Sequence, residues 1–328
     1  MSIRIIKQGL FDSIQDKGRY GYQHLGINPG GAMDTVAATI ANMLAGNTTD
    51  EAVIEMHFPA AAIYFEKAAV IALSGADFSA YINKEPVPLN TTIVVADGAI
   101  LSFAKYVHGA RVYLAIQGGL SIETWLDSYS TNTKAKMGGY QGRALQKYDM
   151  IHCRAVQLAY ASLPEDAIVI THVAADTTAL YNTTNKIRCV AGKDHLLLNI
   201  KSQQVFTTSS FTISRQSDRM GYHLTGEVLH CADTTERISA AVTKGSIQLL
   251  PDGQLILLMA DHQTTGGYPV PAHVISADIP SLAQMQPGAS LNFSFVSIDE
   301  AAQLYLDQQE YLQQLQASCN LQLKQFLS

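Results

Sequence analysis

Short runs of β-branched and aromatic residues, separated by Gly, Pro, Asp and Asn, recur along most of the chain. Runs of this kind are typical of β-strands, and the residues between them are typical of turns. The sequence therefore predicts a mainly β protein. The clearest predicted strands are Ile3–Ile6, Val53–Phe58, Ile63–Phe65, Val70–Leu73, Thr92–Ala96, Ile100–Phe103, Arg111–Ile116, Ile168–Val173, Ser246–Leu250, Gln254–Leu258 and Leu291–Val296.

Helical spacing of apolar residues is confined to two places. The first is Thr35–Leu44, where Asp34 is placed to cap the free N–H groups and Gly46 follows the last turn. The second begins near Asp299 and has a glutamine-rich outer face, which is typical of a solvated docking or tail helix. We therefore predict few helices, one of them C-terminal.

A weak internal repeat indicates two related halves. The stretch 14–22 is similar to the stretch 213–222, because both place an Asp and an Arg shortly before a glycine and a tyrosine. A chain of 328 residues is also long for one compact core. We predict two β domains, residues 1–182 and residues 183–328, with the C-terminal helix in the second.

Composition excludes several classes of protein. The formal charge is −6, from 22 basic and 28 acidic residues, and no Lys/Arg cluster could neutralise a row of phosphates, so nucleic acid is not an expected partner. Four cysteines lie far apart without a C-x-x-C pair, which predicts neither a zinc site nor a disulfide framework. The N-terminus does not resemble a signal peptide, and no apolar run approaches the ~18 residues of a membrane span. We expect a cytoplasmic protein.

Common catalytic motifs are missing from the sequence. It contains no G-x-x-x-x-G-K-[ST], no G-x-G-x-x-G after a strand, no G-x-S-x-G and no H-E-x-x-H. Self-contained ATP, dinucleotide, serine-hydrolase or zinc-protease chemistry therefore lacks its usual signature.

Four loops combine glycines with polar side chains next to predicted strands. They are Asn28–Asp34, Ser74–Asp77, Gln117–Gly119 and Met259–Val270. Successive glycines can turn N–H groups inward and form a concave site for an oxyanion or an amide oxygen. Three of these loops carry an aspartate, at Asp34, Asp77 and Asp261, and an aspartate in an apolar cleft can exchange a proton with an amide nitrogen. A tight turn remains the simpler interpretation of each loop alone, and Asp34 has the alternative role of a helix cap.

Several segments, in order along nearly the whole chain, resemble the biotin-dependent carboxyltransferase domain family. They are residues 14–16, 18–23, 31–34, 73–77, 109–115, 142–145, 217–222, 245–248 and 259–269. This family includes KipA-type proteins, the second subunit of allophanate-hydrolase-like proteins, the carboxyltransferase region of urea carboxylase and the C subunit of bacterial 5-oxoprolinase (PxpC). A stand-alone chain of this length is most similar to the last type.

The resemblance implies two cyclophilin-like β-barrel domains with a cleft between them that binds a small amide or urea-like substrate. It implies Asp34 and Asp261 as the catalytic pair and no metal ligands. The substrate-binding residues that it implies are Gln15, Arg19, Gly31, Asp77, Asp218, Arg219, Gln248, Thr264, Thr265, Gly266, Gly267 and Tyr268.

The function implied is that of a subunit of an ATP-dependent 5-oxoprolinase, an amide-bond hydrolase that opens 5-oxoproline to L-glutamate and is active only with partner subunits. The implied partners are a KipI-like (PxpB-type) subunit and a lactam-utilisation-like (PxpA-type) subunit, with ATP bound through the complex. Two alternatives stay open. One is a KipA-like regulatory protein that binds a KipI-like partner. The other is a carboxyltransferase acting on urea or a related amide, with biotin on a separate carrier.

Three residues depart from the family pattern. Tyr129, His223 and His262 stand where the family often has arginine. Arginine binds carboxylate or phosphate through two parallel hydrogen bonds, which a tyrosine or neutral histidine cannot reproduce. These differences either change the anion specificity or lie outside the pocket.

Overall fold

The structure of the protein is a computed structural model that describes residues 1–154, 164, 167–182, 184–232 and 238–327. None of the helices in this described part of the chain combines the length and the hydropathy of a membrane-spanning segment.

The described chain forms two compact units. The first comprises Met1–Arg19, Asp34–Thr178 and Tyr311–Ser328, and the second comprises Tyr20–Met33 and Ala179–Glu310. The units are therefore not contiguous halves, since a short segment near the N-terminus belongs to the second and the C-terminal residues belong to the first.

The main crossing between the units lies close to the predicted domain boundary. The chain leaves the first unit after Thr178, whereas the sequence places the boundary after residue 182. Residue 183 lies outside the described residues. The division into 1–182 and 183–328 stays a prediction.

The strands of the first unit form two six-stranded sheets, in the orders β11-β1-β4-β9-β6-β7 and β12-β8-β5-β10-β3-β2. Their bounds are β1 (Ser2–Lys7), β2 (Ser13–Gln15), β3 (Val53–Met56), β4 (Ala62–Phe65), β5 (Ala69–Asp77), β6 (Ala80–Ile82), β7 (Glu85–Pro86), β8 (Thr91–Val95), β9 (Ile100–Phe103), β10 (His108–Ile116), β11 (Met150–His152) and β12 (Ile168–Ala174).

The first unit is built around its second sheet. One face of this sheet contributes Ile14, Ile54, Leu73 and Leu114 to the larger core cluster. Helix α1 (Thr35–Ala45) packs on β3, β5 and β10. Because the central strands are covered on both faces, they read as nearly continuous apolar runs rather than as alternating ones.

The second unit is a closed seven-stranded barrel with a two-stranded ribbon beside it. The barrel order is β13-β20-β17-β18-β15-β14-β21, and β16 pairs with β19. The bounds are β13 (Lys186–Ala191), β14 (Ser210–Ile213), β15 (Gly221–Thr225), β16 (Ala240–Ala241), β17 (Ser246–Leu249), β18 (Leu255–Leu258), β19 (Thr265–Gly266), β20 (Ala272–Val274) and β21 (Ser290–Phe295).

Alternation along the barrel strands places every second side chain inside. In β21, Leu291 and Phe293 are buried while Ser290 is exposed. Phe293 stacks on Phe206 with ring centroids 4.9 Å apart, which fills the centre of the second core cluster. The mainly β prediction is confirmed, and the closed barrel agrees with the barrel prediction for this half.

The remaining helices are α2 (Ile200–Thr208), α3 (Ile279–Ala283) and α4 (Ile298–Leu327). The predicted helices at 35–44 and from Asp299 onward correspond to α1 and α4. The prediction of few helices is confirmed, although no sequence pattern predicted α3 or α2. Its sequence buries little more than Val205 and Phe206, so its stability comes from packing on the barrel and from the Asn199 cap, which accepts the Ser202 N–H at 2.8 Å.

Candidate functional site

The glycine turn that precedes α1 is held by two cations of the second unit. Gly31 has φ 91°, a conformation that favours glycine, and its carbonyl accepts a hydrogen bond from Arg219 Nη2 at 2.7 Å. Lys244 Nζ donates to the carbonyls of Ala32 and Met33 at 3.1 and 2.8 Å. Three successive carbonyls are therefore fixed by side chains from the barrel. No sequence pattern pointed to Lys244, because a single lysine before a strand gives no signal.

Arg219 is also paired with Asp261. Its Nε and Nη2 atoms donate to the two carboxylate oxygens at 2.9 and 3.1 Å, and the Asp261 N–H donates to the Arg219 carbonyl at 2.8 Å. The two side chains are only 8% and 18% exposed. Since two parallel hydrogen bonds fix both charges, the predicted residues Gly31, Arg219 and Asp261 form one rigid cluster.

Asp218 shapes the turn that presents Arg219. The exposed Asp218 carboxylate accepts the Met220 N–H at 2.8 Å. The repeated segment of the first unit does the same, because Asp16 accepts the Gly18 N–H at 2.7 Å ahead of Arg19. The internal repeat therefore corresponds to a shared local turn.

His262 adjoins this cluster but does not replace an arginine. It is only 3% exposed, and its Nδ1 lies 2.6 Å from the Gln263 carbonyl. Burial lowers its pKa below the ordinary value; the Lys244 charge also lowers it, while the Gln263 hydrogen bond and Asp261 oppose the shift. A neutral imidazole donating to a carbonyl offers no cationic grip on an anion.

A small pocket lies beside the ribbon in the second unit. Its volume is about 280 Å³, and its walls include the predicted residues Gly266, Gly267 and Tyr268. Gln248 lies directly behind Gly266, since a Cβ at position 266 would be 2.4 Å from Gln248 Nε2. A side chain at position 266 would therefore require the Gln248 amide to move. Gln248 is 1% exposed; its Oε1 accepts from Gln263 at 3.1 Å, and its Nε2 has no hydrogen-bond partner among the residues that the structure describes.

The neighbouring threonines make their observed contacts through the backbone. Thr264 accepts the Val242 N–H through its carbonyl at 3.1 Å, and the exposed Thr265 pairs with Ala241 in the ribbon. The structure thus brings the 264–268 loop and Gln248 together, and the contacts of the two threonines are made by the backbone.

In the first unit, Asp16 and Arg19 organise the loop that contains Tyr129. Asp16 accepts hydrogen bonds from the Ser128 hydroxyl at 2.8 Å and from the Tyr129 N–H at 2.6 Å. Arg19 donates to the Ser130 carbonyl, and its guanidinium lies 4.6 Å from the Trp125 ring centroid. Both residues are buried, so their observed contacts order the loop.

Two other predicted residues of the first unit have local partners. Gln15 is buried in β2, where its Nε2 donates to Ser13 at 2.9 Å, while its Oε1 lacks a partner within the described ranges. Asp77 ends β5 and accepts the Ser79 N–H at 2.7 Å, which forms a turn at Ser79.

Asp34 is fully buried and caps α1. Its Oδ1 accepts the Ala37 N–H at 2.9 Å, and its own N–H donates to the Tyr113 hydroxyl at 2.8 Å. That hydroxyl donates to Glu55 at 2.8 Å. Burial raises the pKa of Tyr113 well above its ordinary value, and the charges of Glu55 and Asp34 raise it further. No sequence pattern pointed to Glu55 and Tyr113, because they become neighbours only when β3 pairs with β10.

Asp34 belongs to the first unit and Asp261 to the second. Their role as a catalytic pair, and the cleft between the two domains, stay predictions. Among the described residues, no group of three or more His, Cys, Asp or Glu is placed to hold a metal ion.

The model of one protein family matches most of the chain. Residues 25–295 match the model of the carboxyltransferase domain, subdomain A and B. The chain belongs to this family. The match covers Gly31, Arg219, Lys244, Gln248 and Asp261, so the clusters described above lie within the family domain.

Named relatives extend over almost the whole chain. It is 35% identical to the 5-oxoprolinase C subunit of Haemophilus influenzae over 92% of this chain and 94% of the relative. Against the 5-oxoprolinase C subunit of Escherichia coli the identity is 34%, over 95% of this chain and 97% of the relative.

A solved structure of a larger enzyme contains the same fold. The Kluyveromyces lactis urea amidolyase superposes with a TM-score of 0.87 at 27% identity, over 96% of this chain. The chain corresponds to only 20% of that enzyme. The similarity therefore concerns one part of the larger protein.

Proposed function

We propose that this carboxyltransferase-family chain is a subunit of a 5-oxoprolinase that opens 5-oxoproline to L-glutamate at the expense of ATP. One observation carries the proposal: the 35% identity to a 5-oxoprolinase C subunit extends over 94% of that relative's length. Correspondence from end to end supports the same role in the same kind of assembly.

The chemistry of the clusters is compatible with a neutral amide. Gln248 Nε2 is a buried donor without an acceptor in the described part of the chain, and amide oxygens are good acceptors. Arg219 and Lys244 are engaged by Asp261 and by backbone carbonyls. Their part would be to hold the Gly31 turn rigid, so that groups around it meet the substrate in a fixed geometry.

The chain does not offer a phosphate site for ATP at its described helix N-termini of eight residues or more. Asp34 caps α1 with a carboxylate, Asn199 caps α2, and α4 begins with Asp299 and Glu300. Negative or already occupied caps oppose phosphate binding there. We propose that a partner subunit binds the nucleotide, and we assign no ATP step to this chain.

The proposed partners are a KipI-like (PxpB-type) subunit and a lactam-utilisation-like (PxpA-type) subunit. The test is reconstitution of the three proteins from one organism, followed by measurement of 5-oxoproline-dependent ATP hydrolysis and glutamate formation. We expect both activities to require all three proteins. A stable assembly of the three without turnover above the two partners alone would reject the enzyme role. Binding of the KipI-like partner without turnover would instead support the regulatory alternative.

A second candidate is carboxyl transfer to urea or a related amide. The TM-score of 0.87 to one part of a urea amidolyase favours it. Biotin would then be delivered by a separate carrier protein. The test measures loss of the carboxyl group from a carboxylated carrier. A loss that requires urea and this chain, but not 5-oxoproline, would support this candidate over the first.

A further inference from the structure

The pocket beside the ribbon carries one cation that the sequence analysis did not select. Lys193 is an exposed side chain at the pocket wall and has no ion pair in the described part of the chain. Asp194, the adjacent acidic residue of the lining, is 5% exposed and accepts the Val270 N–H at 2.8 Å. Its carboxylate therefore secures the pocket wall at Val270.

The rest of the pocket lining is mainly apolar. Val242, Val270 and the Tyr268 ring are the apolar part, and the Gly266 backbone separates the pocket from the amide of Gln248. A volume of about 280 Å³ suits a small ligand, since it is near the lower end of ligand pockets at roughly 300–1,000 Å³.

We infer that this pocket binds a small cyclic amide that carries a carboxylate, with the Lys193 ammonium on the carboxylate and the ring against the apolar walls. The inference rests on the proposed function, because 5-oxoproline has both groups on one five-membered ring whose methylenes suit the apolar walls. It goes further by assigning the recognition of the carboxylate, which urea lacks, to Lys193.

The test compares two ligands that differ only in the carboxylate. In the reconstituted complex, Lys193→Ala is expected to raise the KM for 5-oxoproline about tenfold or more, as for loss of one charge-assisted hydrogen bond, with little change in kcat. The inhibition constant of 2-pyrrolidinone, the same ring without the carboxylate, is expected to stay unchanged. Lys201→Ala, an exposed lysine on α2 outside the pocket lining, is the matched control and should change neither value.

An unchanged KM in Lys193→Ala, or an equal loss for both ligands in that variant, would overturn the assignment of Lys193.

Failure of the proposed function gives a different result. If the wild-type complex does not turn over 5-oxoproline, the function is rejected, and ligand binding to the same complex is measured by calorimetry. Preference for 5-oxoproline over 2-pyrrolidinone that disappears in Lys193→Ala would still support the pocket. Equal binding of 5-oxoproline by wild type and Lys193→Ala, or no binding by either, would reject it.

Discussion

At the scale of single residues, the buried charges of this protein act in pairs or with backbone groups. Arg219 and Asp261 share two hydrogen bonds, and Arg219 also binds the Gly31 carbonyl. Removing one member of such a pair leaves the other charge buried without compensation. The Arg219–Asp261 pair therefore supports the Gly31 turn, and it is also a candidate for a catalytic role.

Asp261→Asn tests this support. We expect the free energy of unfolding to fall by about 1.5–3 kcal/mol, because a charged acceptor of two arginine hydrogen bonds becomes neutral. Chemical denaturation measures the loss, with the exposed Asp50→Asn as a control of matched chemistry. If Asp261→Asn abolished turnover in the complex at unchanged stability, Asp261 would act in catalysis without supporting the turn.

Asp149 makes a pH-dependent contribution at the same scale. Burial raises its pKa, but hydrogen bonds from Arg143 and from the Gln146 N–H outweigh burial, so the pKa is below its ordinary value. Arg143 donates to both carboxylate oxygens at 2.7 and 2.8 Å. A lowered carboxylate pKa gives stability that is present above the unfolded pKa of ~3.9 and is lost as pH falls through the folded pKa.

We therefore expect the stability difference between wild type and Asp149→Asn to be constant above about pH 5 and to shrink below about pH 4. Denaturation curves at a series of pH values measure it. A difference that grew on acidification would contradict the assigned sign.

At the scale of elements, α1 depends on Asp34 for its first turn. Asparagine caps helices as well as aspartate, whereas alanine does not cap them. We expect Asp34→Asn to keep the wild-type stability within about 0.5 kcal/mol and Asp34→Ala to lose roughly 1–2 kcal/mol. Thermal unfolding of the two variants measures the cap. Equal stability of both would show that the Ala37 hydrogen bond does not support the helix.

The turnover of a complex that contains Asp34→Asn distinguishes the capping role of Asp34 from its predicted catalytic role. This variant keeps the cap but lacks the carboxylate. Loss of turnover in this stable variant would support the proposed catalytic role, and full turnover would leave Asp34 as a cap alone.

At the scale of the whole molecule, residues from the C-terminus complete the first unit. Residues 311–328 are part of that unit although the preceding turns of α4 belong to the second. Leu323 is 4% exposed and approaches Gly46 after α1, whereas Leu321 on the same helix is 61% exposed. The end of α4 is thus fixed by a small number of buried side chains.

Leu323→Ala is expected to lower the free energy of unfolding by about 2–4 kcal/mol, since a buried leucine is truncated. Leu321→Ala, at a solvated position on the same helix, should change it by less than about 0.5 kcal/mol. Chemical denaturation of both variants provides the measurement. Similar effects of the two substitutions would contradict the packing of the end of α4 within the first unit.

The sequence by itself determined the class of the fold and most of its elements. The runs that form β1, β5, β9 and β18, the Asp34 cap and the C-terminal helix are all local signals, because strand and helix periodicity and capping act over a few residues. The substrate-binding role of Gln248 and of the glycine loop 264–268, which the resemblance to a family implies, stays a prediction.

Tertiary structure alone decided the rest. Helix α2 forms because the barrel buries Val205 and Phe206, Lys244 reaches the Gly31–Met33 turn across more than two hundred residues of chain, and Glu55 meets Tyr113 by strand pairing. Lys193 likewise becomes part of a pocket only when Val270 and Tyr268 fold beside it. Contacts between distant residues depend on how the strands close into sheets and a barrel, and short-range patterns in a sequence carry no information on that closure.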